Sequence, residues 1–311
     1  MSSTSPRKIR VVINRGGGSF GDDKASQLEG LFKARGIDAE IMAVEPGDLD
    51  RHCGEAAKAH GVDALVAAGG DGTIGTAAAA VAGTEMPLGI LPLGTLNHFA
   101  RDAGIPLELE DAVAAIAGGL TRQVDVAEVN GRLFINNSAV GLYPRLVRDR
   151  EAQQRHLGRP KKRAMAVAAL RTLWRFSHHR LTIRVEGREA AIETPLLFIG
   201  NNRYEMGLLS LGKRESIDQG ELCLYAPLAR SAARFVWISM RAVFGREDEV
   251  DDFVMLDGFQ AVEIRSKYAR LMVATDGEAQ SMETPLKYKL RAGALKLFVP
   301  SPSPDGEGDH A

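Results

Sequence analysis

The chain has 311 residues, and 39 Lys and Arg against 40 Asp and Glu leave a net charge of -1, so no global field recruits nucleic acid. Hydrophobic residues at 45% and charged residues at 25% are those of an ordinary folded chain, which excludes disorder and collagen-like repeats. Cys53 and Cys223 have no partners at metal-ligand spacing, which excludes a disulfide framework or zinc site and fits a reducing cytoplasm. No apolar run approaches the roughly 20 residues that cross a bilayer, so any membrane contact is expected to be peripheral, at the inner face.

From Ile9 to about Asp125, short apolar runs alternate with helical stretches. Arg10 to Asn14 reads as a strand ending in Gly16, Gly17 and Gly18. Ala25 to Arg35 reads as a helix, Asp38 to Val44 as a second strand, Val62 to Ala68 as a third and Leu88 to Leu91 as a fourth. Strands separated by about 10 to 15 helical residues imply crossovers and a parallel sheet, with ligands beyond the strands' carboxyl ends. After about Val126, period-two alternation takes over. It is seen in Leu181 to Val185, Thr194 to Gly200, Glu221 to Tyr225, Phe259 to Arg265, Arg270 to Thr275, and Leu286 to Leu290 with Ala294 to Val299. Helical stretches at 163–176 and 231–244 interrupt it. The expected organisation is an α/β domain over 1–125, an antiparallel β-sandwich-like domain over 126–300 and a disordered tail over 301–311.

The strongest local signal is Gly69-Gly70-Asp71-Gly72-Thr73, between a strand and the Ala-rich stretch Ala77 to Ala82. Glycines let a backbone approach polyphosphate and present N–H groups to it, and a helix N-terminus adds partial positive charge. Asp71 in such an anion site suits an Mg²⁺ ion carried by a nucleotide; the alternative is a turn whose Asp71 caps the helix. Pro92-Leu93-Gly94-Thr95-Leu96-Asn97 repeats the logic after the next strand, with Asn97 either a ligand group or the cap of a helix over Phe99 to Ala103. Asp276-Gly277-Glu278 by itself is a hairpin-turn signal.

With Asn14 and its glycines, Gly69 to Thr73, Pro92 to Arg101 (PLGTLNHFAR), Gly200-Asn201-Asn202 and Asp276-Gly277-Glu278 in that order, the chain resembles the diacylglycerol kinase catalytic-domain superfamily of bacterial lipid kinases, sphingosine kinases and ceramide kinases. The resemblance spans residues 9 to about 299. It implies ATP in a cleft between an NAD kinase- or phosphofructokinase-like α/β domain and a β-rich lipid-substrate domain. It implies ATP binding by Asn14, Gly69, Gly70, Asp71, Gly72, Thr73, Gly94, Thr95 and Asn97, with Mg²⁺ at Asp71. It implies transfer to a hydroxyl of a diacylglycerol-like or other amphiphilic alcohol, with Glu278 as general base beside Asp276. A second family metal site maps to Asp218-Gln219-Gly220, where one carboxylate is missing. Other departures are Arg15, Gly75, Thr76 and His98.

The cluster from Arg145 to Arg163 holds eight basic residues against Asp149 and Glu151, and an apolar stretch follows. It is either a peripheral contact with an anionic membrane or a solvated loop before a core helix. The remaining alternatives are a nucleotide- and lipid-binding regulatory module without catalysis, and an NAD kinase.

Overall fold

The computed structural model describes residues 2–3, 6–16, 22–157, 171, 176–204, 214, 216–243 and 253–301. The chain divides into two units, Met1–Val124 with Gly293–Ala311, and Asp125–Ala292.

The first unit is built on crossovers. In chain order it holds β1 (Lys8–Asn14), α1 (Asp22–Lys33), β2 (Asp38–Val44), α2 (Leu49–Ala57), β3 (Ala64–Gly69), α3 (Asp71–Val81), β4 (Leu88–Pro92), α4 (His98–Asp102) and α5 (Leu109–Gly118). The strands lie in the order β2, β1, β3, β4, every pair parallel. Every residue of β3 and β4 is buried, the continuous apolar run of a parallel strand covered on both faces. Helix α3 buries Ile74, Ala77, Ala78 and Val81, a stripe at helical spacing whose small side chains allow close approach to the sheet.

The chain leaves this unit within β5 (Leu120–Val129) and forms β6 (Arg132–Phe134), β7 (Asn137–Gly141), α6 (Leu142–Leu157), β8 (His179–Val185), β9 (Arg188–Thr194), β10 (Leu196–Asn201), β11 (Leu222–Pro227), α7 (Ala232–Val243), β12 (Phe253–Phe259), β13 (Ala261–Ser266), β14 (Arg270–Thr275) and β15 (Glu278–Glu283). It re-enters the first unit within β16 (Leu286–Phe298), whose Leu297 pairs in parallel with Leu88 of β4. The second unit is antiparallel throughout. One sheet runs β9, β8, β13, β16 and the other β12, β11, β10, β7, β14, β15. Its core takes alternate residues such as Leu286, Tyr288 and Leu290, while Lys287 and Lys289 face water. The α/β-plus-antiparallel architecture expected from the sequence is therefore present.

The expected helix over 163–176 and the tail after 301 fall almost wholly outside the described residues. So does the later part of the basic cluster; Arg145, at its start on α6, donates to Ser177 Oγ at 2.7 Å.

Candidate active site

In the first unit the ends of β1, β3 and β4 are neighbours in the sheet, so the loops after them converge. Bonds tie the three together. Asn14 Nδ2 donates to Thr73 Oγ1 at 2.9 Å, and the Leu93 N–H donates to the Gly69 carbonyl at 3.0 Å. Asn14 Oδ1 accepts the Gly16 N–H at 2.9 Å, closing the first loop on itself. The two glycine loops touch backbone to backbone: a Cβ on Gly94 would sit 2.5 Å from Gly70 Cα, a separation no side chain tolerates. Glycine at position 94 is required by that approach rather than by backbone angles, while a Cβ on Gly70 would meet Gly94 Cα at a tight 3.3 Å.

Asp71 is the first residue of α3 and does not cap its own helix, whose N-cap position is Gly70 with no side-chain bond. Its carboxylate reaches the next loop instead, accepting the His98 N–H at 3.2 Å and the Phe99 N–H at 3.0 Å. It thereby caps α4, the task the sequence suggested for Asn97. Asn97 occupies the N-cap position of α4, which spans His98–Asp102, in a left-handed conformation but makes no capping bond. It is buried and stitches its own loop, accepting the Gly94 N–H at 3.0 Å and donating to the Pro92 and Gly94 carbonyls. The uncapped N–H groups opening α3 and the exposed Thr95 remain as the polar groups of the glycine loops that face outward. Asp71→Ala, by removing the cap of α4, is expected to cost about 1–2 kcal/mol and to lower the melting temperature by about 2–4 °C per kcal/mol. An unchanged melting curve would refute the clamp.

In the second unit Asp276 and Gly277, with φ of 47° and 84°, form the two-residue turn between β14 and β15, and Thr275 pairs with Glu278 across it. The turn also carries chemistry. The Asp276 carboxylate is enclosed, accepting the Ile135, Asn136 and Asn137 N–H groups at 2.8, 2.8 and 3.2 Å. Burial pushes its carboxyl up to about 6, against the pull of those three donors and of Arg214. Glu278, at the start of β15, is exposed and pairs with Arg132 at 2.7 Å. Because the folded state holds the Asp276 proton more tightly than the unfolded chain, the stability this group contributes is fully present below about pH 4 and is lost as pH rises towards 6. The melting temperature of the wild type minus that of Asp276→Asn should therefore fall across this window. A difference that rises with pH would contradict it.

Beneath the turn lies a buried polar cluster. Asn201 Nδ2 donates to the Asp125 and Ile135 carbonyls, both at 2.9 Å. The buried Arg214 donates to the Ile135 and Asn201 carbonyls and to Asn136 Oδ1. Nearby, Asp125 Oδ2 accepts the Gly220 N–H at 2.7 Å, Asn202 Oδ1 accepts the Gln219 N–H, and Ser216 donates to Asp218. The residues sequence reasoning did not single out include Arg132 and Arg214: Arg132 follows an Asn-Gly turn before an apolar run, Arg214 stands in a polar stretch, and nothing local marks the partners of either.

Comparison with known proteins follows the same lines. The family model for the diacylglycerol kinase catalytic domain matches residues 8–129. A protein of Pseudomonas savastanoi pv. phaseolicola named "Probable lipid kinase YegS-like" is 34% identical over 266 residues, 84% of this chain and 83% of that protein. Among solved structures, a diacylglycerol kinase of Bacillus anthracis superposes with a TM-score of 0.69 at 22% identity, over 95% of this chain and 97% of that one. Yeast NADH kinase superposes with a TM-score of 0.53 at 12% identity, over 94% of this chain and 83% of that one. The two structural likenesses speak to the fold.

Proposed function

We infer the chemistry from one premise: the chain belongs to the diacylglycerol kinase catalytic-domain family, among its YegS-like members, and is an ATP-dependent lipid kinase. We propose that the glycine loops of the first unit hold the ATP phosphates and that Glu278 accepts the proton of the lipid hydroxyl as the γ-phosphoryl group transfers to it. The acceptor is a hydroxyl of a diacylglycerol-like or other amphiphilic alcohol.

Phosphoryl transfer needs alignment, neutralised charge and a proton acceptor, and little covalent chemistry from the protein. The phosphates meet backbone N–H groups of Gly70, Gly72 and Thr73 and the Thr95 hydroxyl, while Asn14, Asp71 and Asn97 keep Gly69, Gly70 and Gly94 in register. The apposition of Gly70 and Gly94 is the observation that carries this reading, because a simple turn needs no such contact.

Magnesium fits as an ion brought by the nucleotide. Among the described residues no group of three or more His, Cys, Asp or Glu forms a site of its own, whereas Asp71 supplies one carboxylate beside the phosphate loops. The ion's contribution is neutralisation of phosphate charge. Asp218 is the candidate for a second ion, with Asp125 of β5 beside the same loop through its bond from the Gly220 N–H.

Among the described residues no helix is long and apolar enough to cross a membrane. We propose that the lipid is reached from the surface of a bilayer, with the basic cluster from Arg145 onward as the contact. The NAD kinase alternative rests on fold alone. Labelled ATP offered with diacylglycerol in mixed micelles, with other lipid alcohols and with NAD separates the readings. Label is expected in a lipid, and label in NAD alone would overturn the proposal.

A further inference from the structure

Arg132 lies outside every motif that resembles the family. It opens β6 directly after the turn Asn130-Gly131, whose residues have φ of 48° and 85°, and it pairs with Val129 across that turn. The turn is pinned from outside. Asn130 Nδ2 donates to the Glu283 carbonyl at 2.9 Å, and Asn130 Oδ1 accepts the Lys287 N–H at 2.8 Å. From this anchored position the guanidinium reaches three acceptors on one hairpin. Nε donates to Thr275 Oγ1 at 2.8 Å, and the two terminal nitrogens donate to Gln280 Oε1 at 3.0 Å and Glu278 Oε2 at 2.7 Å.

An isolated ion pair as exposed as Arg132 and Glu278 would contribute little. This one is different in kind, because the planar fork is held by two neutral acceptors as well, one of them the buried Thr275. The same short segment is gripped in return: three residues on, the N–H groups of Ile135, Asn136 and Asn137 bind Asp276 at the hairpin tip. The carboxylate of Glu278 thus starts from a fixed geometry. Oε2 is engaged, and among the described residues no other group bonds the side chain, which leaves Oε1 for an acceptor hydroxyl.

We propose that Arg132 is a positioning residue for phosphoryl transfer, holding Glu278 by Oε2 so that Oε1 meets the lipid hydroxyl. This rests on the reading of Glu278 as general base. A proton acceptor displaced by an ångström forfeits much of its advantage, so the effect belongs in kcat rather than in binding. Arg132→Ala should lower kcat about 10- to 100-fold with KM for ATP and for lipid unchanged. Arg132→Lys keeps the charge but not the three-way fork and should recover only part of the loss.

The decisive arm is Arg132→Ala in the Glu278→Gln background, followed by single-turnover transfer of labelled phosphate. If Arg132 acts through Glu278, the second substitution adds no further loss. An equal loss in both backgrounds, or wild-type kcat in Arg132→Ala, would overturn the positioning role. Full activity of Glu278→Gln alone would instead remove the general base on which the proposal stands, so the two failures are distinguishable.

Discussion

Replacing Glu278 by glutamine should lower kcat by about 10²- to 10⁴-fold, the range a positioned general base contributes, while ATP affinity stays at the wild-type value. Glutamine is nearly isosteric, and its carbonyl oxygen can still accept from Arg132, so the hairpin closed by Asp276 and Gly277 keeps its pairing of Thr275 with Glu278's position. What the amide cannot do is take a proton. The loss should therefore appear in the chemical step and in no binding constant, because the glycine loops proposed to hold the phosphates belong to a different unit of the chain. Steady-state rates with a calorimetric ATP titration check both halves. Undiminished turnover would remove Glu278 from the mechanism, and a parallel loss of ATP affinity would contradict the division of the two roles between the units.

Gly94→Ala should abolish measurable ATP binding and destabilise the first unit by about 1–3 kcal/mol, the cost of overpacking where nothing can yield. The added Cβ would lie 2.5 Å from Gly70 Cα and 2.6 Å from Asn97 Oδ1. The first neighbour is backbone in the loop from Gly69 to Thr73, and the second is held by the Gly94 N–H and by its own two carbonyl partners. Relief requires the two glycine loops to part, which also separates Asp71 from the N–H groups of His98 and Phe99. Gly30→Ala is the control. That glycine lies within α1 with open space around its Cβ position, and alanine there should be neutral or slightly stabilising. Equal effects of the two substitutions on ATP binding would contradict the apposition as the reason for Gly94.

The strands most legible in the sequence are those with a clear apolar pattern, and they include the half-exposed edge strand Asp38–Val44. Asp38–Val44 and Arg270–Thr275 have the bounds read from their apolar patterns, and β3 and β4 differ by a residue or two at their ends. The strands that escaped notice include β9, β12 and β15, and each lies at an edge of its sheet. An edge strand is held by backbone bonds on one side and needs fewer apolar side chains. Thus Arg188–Thr194 is largely exposed, and Glu278–Glu283 buries only Met282. Leu286–Phe298 reads as two strands because Arg291 to Gly293 interrupts the alternation, yet it is one, with Gly293 in a left-handed conformation.

At the candidate site the same contrast holds. Glycine loops after strands are visible locally because the glycines stand together between a strand pattern and a helix pattern, although the reason for Gly94 is the approach of Gly70 from another loop. The bonds of Asp71 to residues 98 and 99, and of Asp276 to residues 135–137, span 27 to 141 positions and leave no trace in the composition near either end. Asp-Gly at 276–277 forms the hairpin turn its dipeptide signals, and Asp276 in addition holds the β6–β7 segment, a role no local pattern marks.

The most direct test of lipid phosphorylation through Glu278 is transfer of labelled γ-phosphate from ATP to whole lipid extracts under Mg²⁺, with the wild type and Glu278→Gln side by side. A labelled lipid formed by the wild type and nearly absent with the variant is the predicted result. ATP bound by both with no lipid labelled by either, or equal labelling by both, would contradict it.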